Sequence, residues 1–358
     1  MIISRQNEQK ILQNALNSKQ SEFVAIYGRR RIGKTFLVRE VLGTYFLFSH
    51  TGVANKKTEL QLEAFCDSLK TSGYKITNKP KDWFEAFSLL KEFIAGSKNK
   101  KKVIFLDELS WMDTARSNFL TALEFFWNGW ASARKDVVLV VCASSTSWII
   151  DNLIHNKGGL HNRLTGQIHL NPFNLNECDQ LAKANGLILD HMDVLKYYMA
   201  LGGVPFYWNL LKKGYSVAQN MDSIFFNPDA PLRDEYQYLY ASLFKMPEVY
   251  MTIVKALTKK KSGMSRLELL DETHLNNSGI FTKKLEELEQ CGFIRKYYEF
   301  GKQKKDAIYQ LIDSFTLFYF RFLEKRPSDP HFWSNSLGTP KINTWQGLAF
   351  ERVCLLAY

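Results

Sequence analysis

Cysteine is scarce in this chain. The five present (Cys66, Cys142, Cys178, Cys291 and Cys354) are odd in number, scattered, and never at C-x-x-C spacing. That excludes a disulfide framework and points to a reduced, cytoplasmic setting in which they act as small apolar residues. The seven histidines never pair at i, i+3 or i, i+4, so no helical metal site is expected. No G-x-S-x-G hydrolase elbow, internal repeat or low-complexity segment occurs. The longest purely apolar run, Val137 to Ala143, is far too short to span a bilayer, and no membrane association is expected. The opening MIISRQNEQK is polar from its fourth residue and lacks the apolar core of a signal peptide.

What is present is a globular composition with an excess of positive charge. The 358 residues are 46% hydrophobic and 23% charged, with a formal net charge of +11. Such a length suggests two or three domains, each able to bury its own core. The charge favours an anionic partner, whether nucleotide, nucleic acid or membrane surface, without choosing among them.

The stretch AIYGRRRIGKTFLV, residues 25 to 38, meets the pattern G-x-x-x-x-G-K-[ST] at Gly28, Gly33, Lys34 and Thr35. It follows a short apolar run expected to be a strand. It precedes an amphipathic helix expected to bury Phe36, Leu37, Val38, Val41 and Leu42. Two glycines permit a tight loop, spanning Arg29, Arg30, Arg31 and Ile32, whose N–H groups can converge on phosphate without Cβ obstruction. The helix starting near Lys34 adds its positive end. Lys34 is a mobile cation for the β and γ phosphates of a nucleotide, and Thr35 offers a hydroxyl to Mg2+. The three arginines fit two readings equally: they deepen the potential that attracts a triphosphate, or they are solvated loop residues.

A second site for Mg2+ and water is expected at the end of VIFLDEL, where Val103 to Leu106 read as a central parallel strand. Ligands in open α/β sheets bind beyond the carboxyl ends of strands. Asp107 is then the residue for the metal shell and Glu108 the group that orients and polarises an attacking water. The next strand, VVLVVCASS, ends at Ser144 and Ser145. In nucleoside triphosphatases with a strand inserted between the two motifs, a polar residue there senses the γ-phosphate, and either serine fits. Arg163, just before a fifth strand candidate at Gln167 to Leu170, is read as a contact to nucleotide phosphate, on this chain or a neighbouring one.

Together these residues resemble the archaeal-type P-loop ATPases related to the AAA+ and STAND groups. The resemblance rests on GRRRIGKT, FLDEL, NRLTGQIHLNPF, LGGVPFY and YQLIDSFTLFYFRF and covers nearly the whole chain. It implies an α/β P-loop domain with a parallel sheet, a helical lid and a winged-helix domain, with Walker A at Gly28 to Thr35 and Walker B in FLDEL. ISRQNEQKIL is similar to the family's h-h-G-R-x-x-E signature, which implies contacts near adenine from Arg5, with Ser4 in place of the usual glycine. GGVPF resembles the lid G-x-P motif, which implies that Pro205 packs against base or sugar. The expected organisation is an ATPase domain over residues 1–172, a lid over 173–240, a winged helix over 241–312, and the start of a further domain over 313–358.

From the pattern alone, three helices near 249–290 followed by a hairpin joined by GKQKK make the winged helix, with Ser278 to Leu288 in the recognition position. Residues 246–312 hold 12 Lys and Arg against 9 Asp and Glu, a net of +3. Lys283, Lys284, Lys302, Lys304 and Lys305 favour double-stranded DNA, whereas Glu286, Glu287 and Glu289 oppose it. DNA and a protein partner or homo-oligomer are therefore equally expected. The aromatic run after Asp313 is read as core. The final helix, with Leu348, Phe350, Val353, Leu355 and Leu356, is similar to the opening of a restriction-nuclease-like domain, Glu351 matching its first-helix glutamate. A truncated chain without nuclease activity is expected from that likeness. The function expected is ATP hydrolysis driving a conformational change, the alternative being a nucleotide-gated STAND-type switch with little turnover. A small-molecule kinase would use the same loop without needing the lid motif or winged helix.

Overall fold

The computed structural model describes residues 2–155, 158–244, 246–298 and 307–356. Two compact units divide the chain. The first comprises Met1–Gly28 and Gly33–Leu170, and the second Arg29–Ile32 and Asn171–Tyr358.

Short continuous apolar runs form the strands of the first unit, as expected of a sheet covered on both faces. They are β1 (Glu22–Tyr27), β2 (Phe46–Thr51), β3 (Lys102–Asp107), β4 (Val137–Ala143) and β5 (Gly166–His169). Every residue of β3 and β4 is buried. The order is β2-β3-β4-β1-β5, and all pairings are parallel. The helices are α1 (Gln6–Asn17), α2 (Lys34–Leu42), α3 (Thr58–Thr71), α4 (Trp83–Gly96), α5 (Leu109–Met112), α6 (Phe119–Gly129) and α7 (Thr146–Ile149). Phe23, Ala25, Ile104, Leu106, Leu139 and Val141 share one core cluster with Phe65, Leu90 and Phe126 of α3, α4 and α6. Helix α1 packs on α2 and against β1 and β5. Contrary to the amphipathic pattern, Phe36 lies outside the buried face of α2 and is 50% exposed; Leu37, Val38 and Leu42 are the apolar residues buried there.

The second unit begins with α8 (Leu175–Ala184), α9 (His191–Leu201), α10 (Pro205–Trp208), α11 (Val217–Met221) and α12 (Glu235–Leu243). There follow α13 (Pro247–Leu257), β6 (Met264–Ser265), α14 (Arg266–Thr273), α15 (Gly279–Gln290), β7 (Ile294–Tyr297) and β8 (Ile308–Leu311). The three strands form an antiparallel sheet in the order β6-β8-β7. Lys302, Lys304 and Lys305, weighed as DNA contacts, lie outside the described residues. Last come α16 (Ser314–Phe318), α17 (Phe332–Ser336) and α18 (Pro340–Leu356).

The aromatic run after Asp313 is core, as expected. Phe315, Phe318 and Phe322 are buried and stack with Phe225, Trp333 and Trp345, adding edge-to-face attraction to area burial. On α18, Val353 is buried while Leu348, Phe350 and Leu355 are exposed; the side chain of Leu356 lies outside the described residues. Glu351 pairs with Lys261. No helix among the described residues is long and apolar enough to cross a membrane.

The N-terminal turn resolves the Ser4 question. Ser4 and Arg5 both take left-handed backbone, at φ 57° and 64°, a conformation that costs an L-residue roughly 1–2 kcal/mol and glycine little. Both residues are thus held under strain. Replacing Ser4 by Gly should stabilise the first unit by about 0.5–1 kcal/mol, less than the full strain because glycine also loosens the unfolded chain. A denaturant midpoint that falls in Ser4→Gly contradicts this account.

His50, on β2, is buried against Phe48 and Phe65, with Nδ1 2.9 Å from Ser68 Oγ. Burial holds its pKa down to about 4. The unfolded chain therefore takes up this proton first, so stability is fully present above about pH 6.5 and lost as pH falls toward 4. Unfolding free energies from urea titrations should drop over that window by an amount on the order of 1–3 kcal/mol, and His50→Gln should flatten the slope.

Candidate functional site

Parallel pairing brings the carboxyl ends of β1, β4 and β3 side by side, with β4 inserted between the other two. The polar and charged groups of the first-unit site emerge at these three ends. After β1, Gly28 takes φ 137°, and Gly33 takes φ 91° as the residue that precedes α2. Both values suit glycine and would strain any other residue. Helix α2 then opens with Lys34 and Thr35, so its first-turn N–H groups and dipole face the loop they terminate.

Lys34 is 6% exposed, and its ammonium donates to Gly28 O at 2.7 Å and to Ser144 Oγ at 3.2 Å. Thr35 Oγ1 donates to Asp107 Oδ2 at 2.7 Å. The other carboxylate oxygen of Asp107 accepts from the N–H of Glu108 at 2.9 Å. Glu108 itself takes left-handed backbone, φ 50° and ψ 47°, as the N-terminal cap of α5. Its carboxylate accepts from Ser144 Oγ at 2.6 Å and from Ser144 N–H at 3.2 Å. Ser144 therefore links the loop lysine to the acidic residue beyond β3.

Of the two serines left open by the sequence, Ser144 is the one placed between Lys34 and Glu108. Ser145 instead caps α7, its carbonyl accepting from Ile149 N–H. Arg5 is buried at the start of α1, 3.7 Å from Glu8. Arg163 does not join Lys34, Asp107 and Glu108. It is exposed in the turn before β5, two residues ahead of Thr165, whose N–H bonds Phe23 O near the start of β1. The loop leaves the other end of that strand, and six residues of parallel strand separate the two. A cis contact from Arg163 to phosphate is corrected by this placement. Arg29–Ile32 and Pro205 belong to the second unit, where Pro205 opens α10.

Sequence reasoning missed Gly52. Its N–H donates to Asp107 O at 2.9 Å, and a Cβ there would lie 2.6 Å from Glu108 O and 3.2 Å from Trp111 Cβ. Only a residue without a side chain lets the β2 exit approach the backbone that carries Glu108. The available signal was a glycine directly after a strand, which marks close backbone approach. Gly52→Ala should displace the Glu108 backbone and lower ATP turnover about tenfold or more, a loss of the size expected from an ångström of misplacement at a site of this kind. Nucleotide affinity should stay within about threefold, a change of well under about 1.4 kcal/mol. Unchanged turnover would show that the approach is not restrictive.

Residues 2–211 match the family described as an ATPase domain predominantly from Archaea. The chain is 26% identical over 334 residues to the uncharacterized protein MJECL04 of Methanocaldococcus jannaschii, covering 90% of this chain and 69% of that protein. Among solved structures it is similar to the Walker-type ATPase PABY2304 of Pyrococcus abyssi, with a TM-score of 0.63 and 16% identity, over 90% of this chain and 96% of that one. The ORC2 protein of Aeropyrum pernix, solved in ADPNP–ADP complexes, aligns with a TM-score of 0.53 and 13% identity, over 100% of this chain and 96% of that one. These two likenesses bear on the fold. The family match takes in every strand of the parallel sheet and both acidic residues at the carboxyl end of β3, and the chain therefore belongs to the family of ATPase domains predominantly from Archaea.

Proposed function

We propose that this ATPase couples its cycle to a macromolecular partner, with the residues at the carboxyl ends of β1, β3 and β4 carrying the hydrolysis of ATP to ADP and phosphate. In this reading Lys34 neutralises charge on the β and γ phosphates, and Glu108 orients the attacking water. Ser144 carries the γ-phosphate signal between them. The 2.7 Å contact between Thr35 Oγ1 and Asp107 Oδ2 carries the reading. It places two hard oxygen donors from the two motifs at one point, a donor set that suits Mg2+. Thr35 and Asp107 would hold that ion, and when bound it supplies charge neutralisation on the phosphate oxygens. A phosphate contact from Arg163 requires a second copy of the chain.

Helices α13 to α15 with the β6-β8-β7 sheet support the winged-helix reading, with α15 in the recognition position. The charge on α15 argues for a protein partner over DNA. Lys284 is buried, with its ammonium 4.3 Å from the centre of the Tyr250 ring. The exposed positions are Gly279, Ile280, Lys283 and Glu286, one cation against one anion, where a DNA reader usually presents a basic stripe. One observation favours the switch alternative: both carboxylate oxygens of Glu108 are engaged by Ser144, which competes with an attacking water for them and suits slow turnover.

Purified protein tests the reading through two variants. Lys34→Ala should abolish tight nucleotide binding. Glu108→Gln should keep binding within about threefold and slow phosphate release about a hundredfold or more, the size of effect general-base groups have. Equal loss of affinity in both variants would refute the separate roles. Double-stranded DNA at fixed salt should leave turnover unchanged; stimulation would return DNA as the partner.

A further inference from the structure

The three arginines between Gly28 and Gly33 are ambiguous in the sequence. Within the second unit, the charges of two of them are met by buried carboxylates. Arg29 is 3% exposed. Its Nη1 lies 2.5 Å from Asp313 Oδ1, and its guanidinium is stacked 4.7 Å from the centre of the Phe293 ring. Asp313 is fixed in turn, since its second oxygen accepts from Thr316 N–H at 2.9 Å and Thr316 Oγ1 at 2.6 Å as the cap of α16. Arg31 Nη1 lies 2.6 Å from Glu235 Oε2, and Glu235 is 2% exposed. The other Glu235 oxygen accepts from Tyr207 O–H at 3.0 Å, and the Arg31 guanidinium sits 4.2 Å from the centre of the Phe206 ring. Burial disfavours the charge on Arg29, yet Asp313 outweighs it and holds the guanidinium protonated above its ordinary range. Neither arginine is the freely solvated loop residue that one reading of the sequence allowed.

We infer that Asp313 and Glu235 are positioning residues for the phosphate loop, holding Arg29 and Arg31 so that the state of the loop and the order of α12 and α16 are coupled. The loop has six residues from glycine to glycine, and its four inner residues group with the second unit. In a loop so short, a backbone shift around a triphosphate acts directly on the Arg29 and Arg31 pairs, each within three residues of a bounding glycine. Nucleotide binding therefore either strains the two ion pairs or is favoured by them, and in both cases the linkage is reciprocal. The carboxylates sit at the starts of α12 and α16, so a change at either pair is delivered to a helix N-terminus. The inference rests on the nucleotide-site reading above and adds to it the residues through which that site communicates.

The test compares wild type with Glu235→Gln and with the double variant Arg29→Met/Asp313→Asn. The double variant removes both buried charges together, and Asn retains an oxygen to cap Thr316, so folding does not depend on an unpaired ion. Two quantities are read: affinity for a fluorescent ATP analogue, and hydrogen exchange of amides at 235–243 and 314–318 with and without ATP. Wild type should change its exchange at both segments on binding ATP. Glu235→Gln should lose the response at 235–243 and the double variant that at 314–318, with affinity shifted about fivefold or more in either direction. Wild-type affinity with an intact response in both variants overturns the inference. So does a wild type that binds ATP without any exchange response. A wild type that fails to bind ATP overturns the site reading itself, and the two failures are thereby distinct.

Discussion

Parallel pairing of β1, β4 and β3 is the constraint on which the first-unit site depends. In an antiparallel arrangement the ends of neighbouring strands would alternate, and Ser144 at the end of β4 would lie a full strand length from both the loop after β1 and the acids at the end of β3. With all strands parallel, their carboxyl ends form one edge, and residues distant in sequence become hydrogen-bonding neighbours. The pairing requires strands buried on both faces, because crossover helices must cover both sides. That requirement is visible in the unbroken apolar runs of β3 and β4, and it leaves the strand ends as the place where polar groups can emerge.

Buried charge shapes the chemistry around that edge. Lys34 and Asp107 are 6% and 4% exposed, which would be costly for isolated ions. Each is met by specific partners: Gly28 O and Ser144 Oγ for the lysine, Thr35 Oγ1 and the Glu108 N–H for the aspartate. Positions already held by fixed dipoles lose little order when a phosphate or cation replaces a partner, which is the electrostatic preorganisation catalysis uses. The second unit follows the same rule. Arg29 and Asp313 are both below 10% exposed, and breaking such a pair from one side would cost about 3–5 kcal/mol because a buried charge is left behind. Polar groups are tolerated where their partners are supplied by capped helix ends, as Thr316 does for Asp313.

Much of this is legible without coordinates. The runs at 103–106 and 137–143 match β3 and β4 within a residue or two, since a strand buried on both faces tolerates no polar interruption and so announces itself. The spacing of Gly28, Gly33, Lys34 and Thr35 carries its meaning because the geometry it implies is local: a tight loop followed by a helix N-terminus. The aromatic run after Asp313 reads as core because large rings at helical spacing bury area that few other arrangements supply. Phe36 is the exception, assigned by its spacing to the core face of α2 yet half exposed in the fold. Nine residues of helix leave room for a rotation that only packing decides.

Local chemistry, then, was the sequence's own contribution: which segments are strands, where a loop must bend, which residue types can meet phosphate and a divalent cation. Those properties depend on sterics and polarity within a few residues. Tertiary structure decided every pairing over long separations. It chose Ser144 over Ser145 between Lys34 and Glu108, set Arg163 at the opposite end of β1 from the loop, and required Gly52 to lack a side chain. It also matched Arg29 with Asp313 across 284 residues of chain. Composition and spacing cannot reach such pairs, because strand order and burial, not proximity in sequence, determine which charge finds which partner.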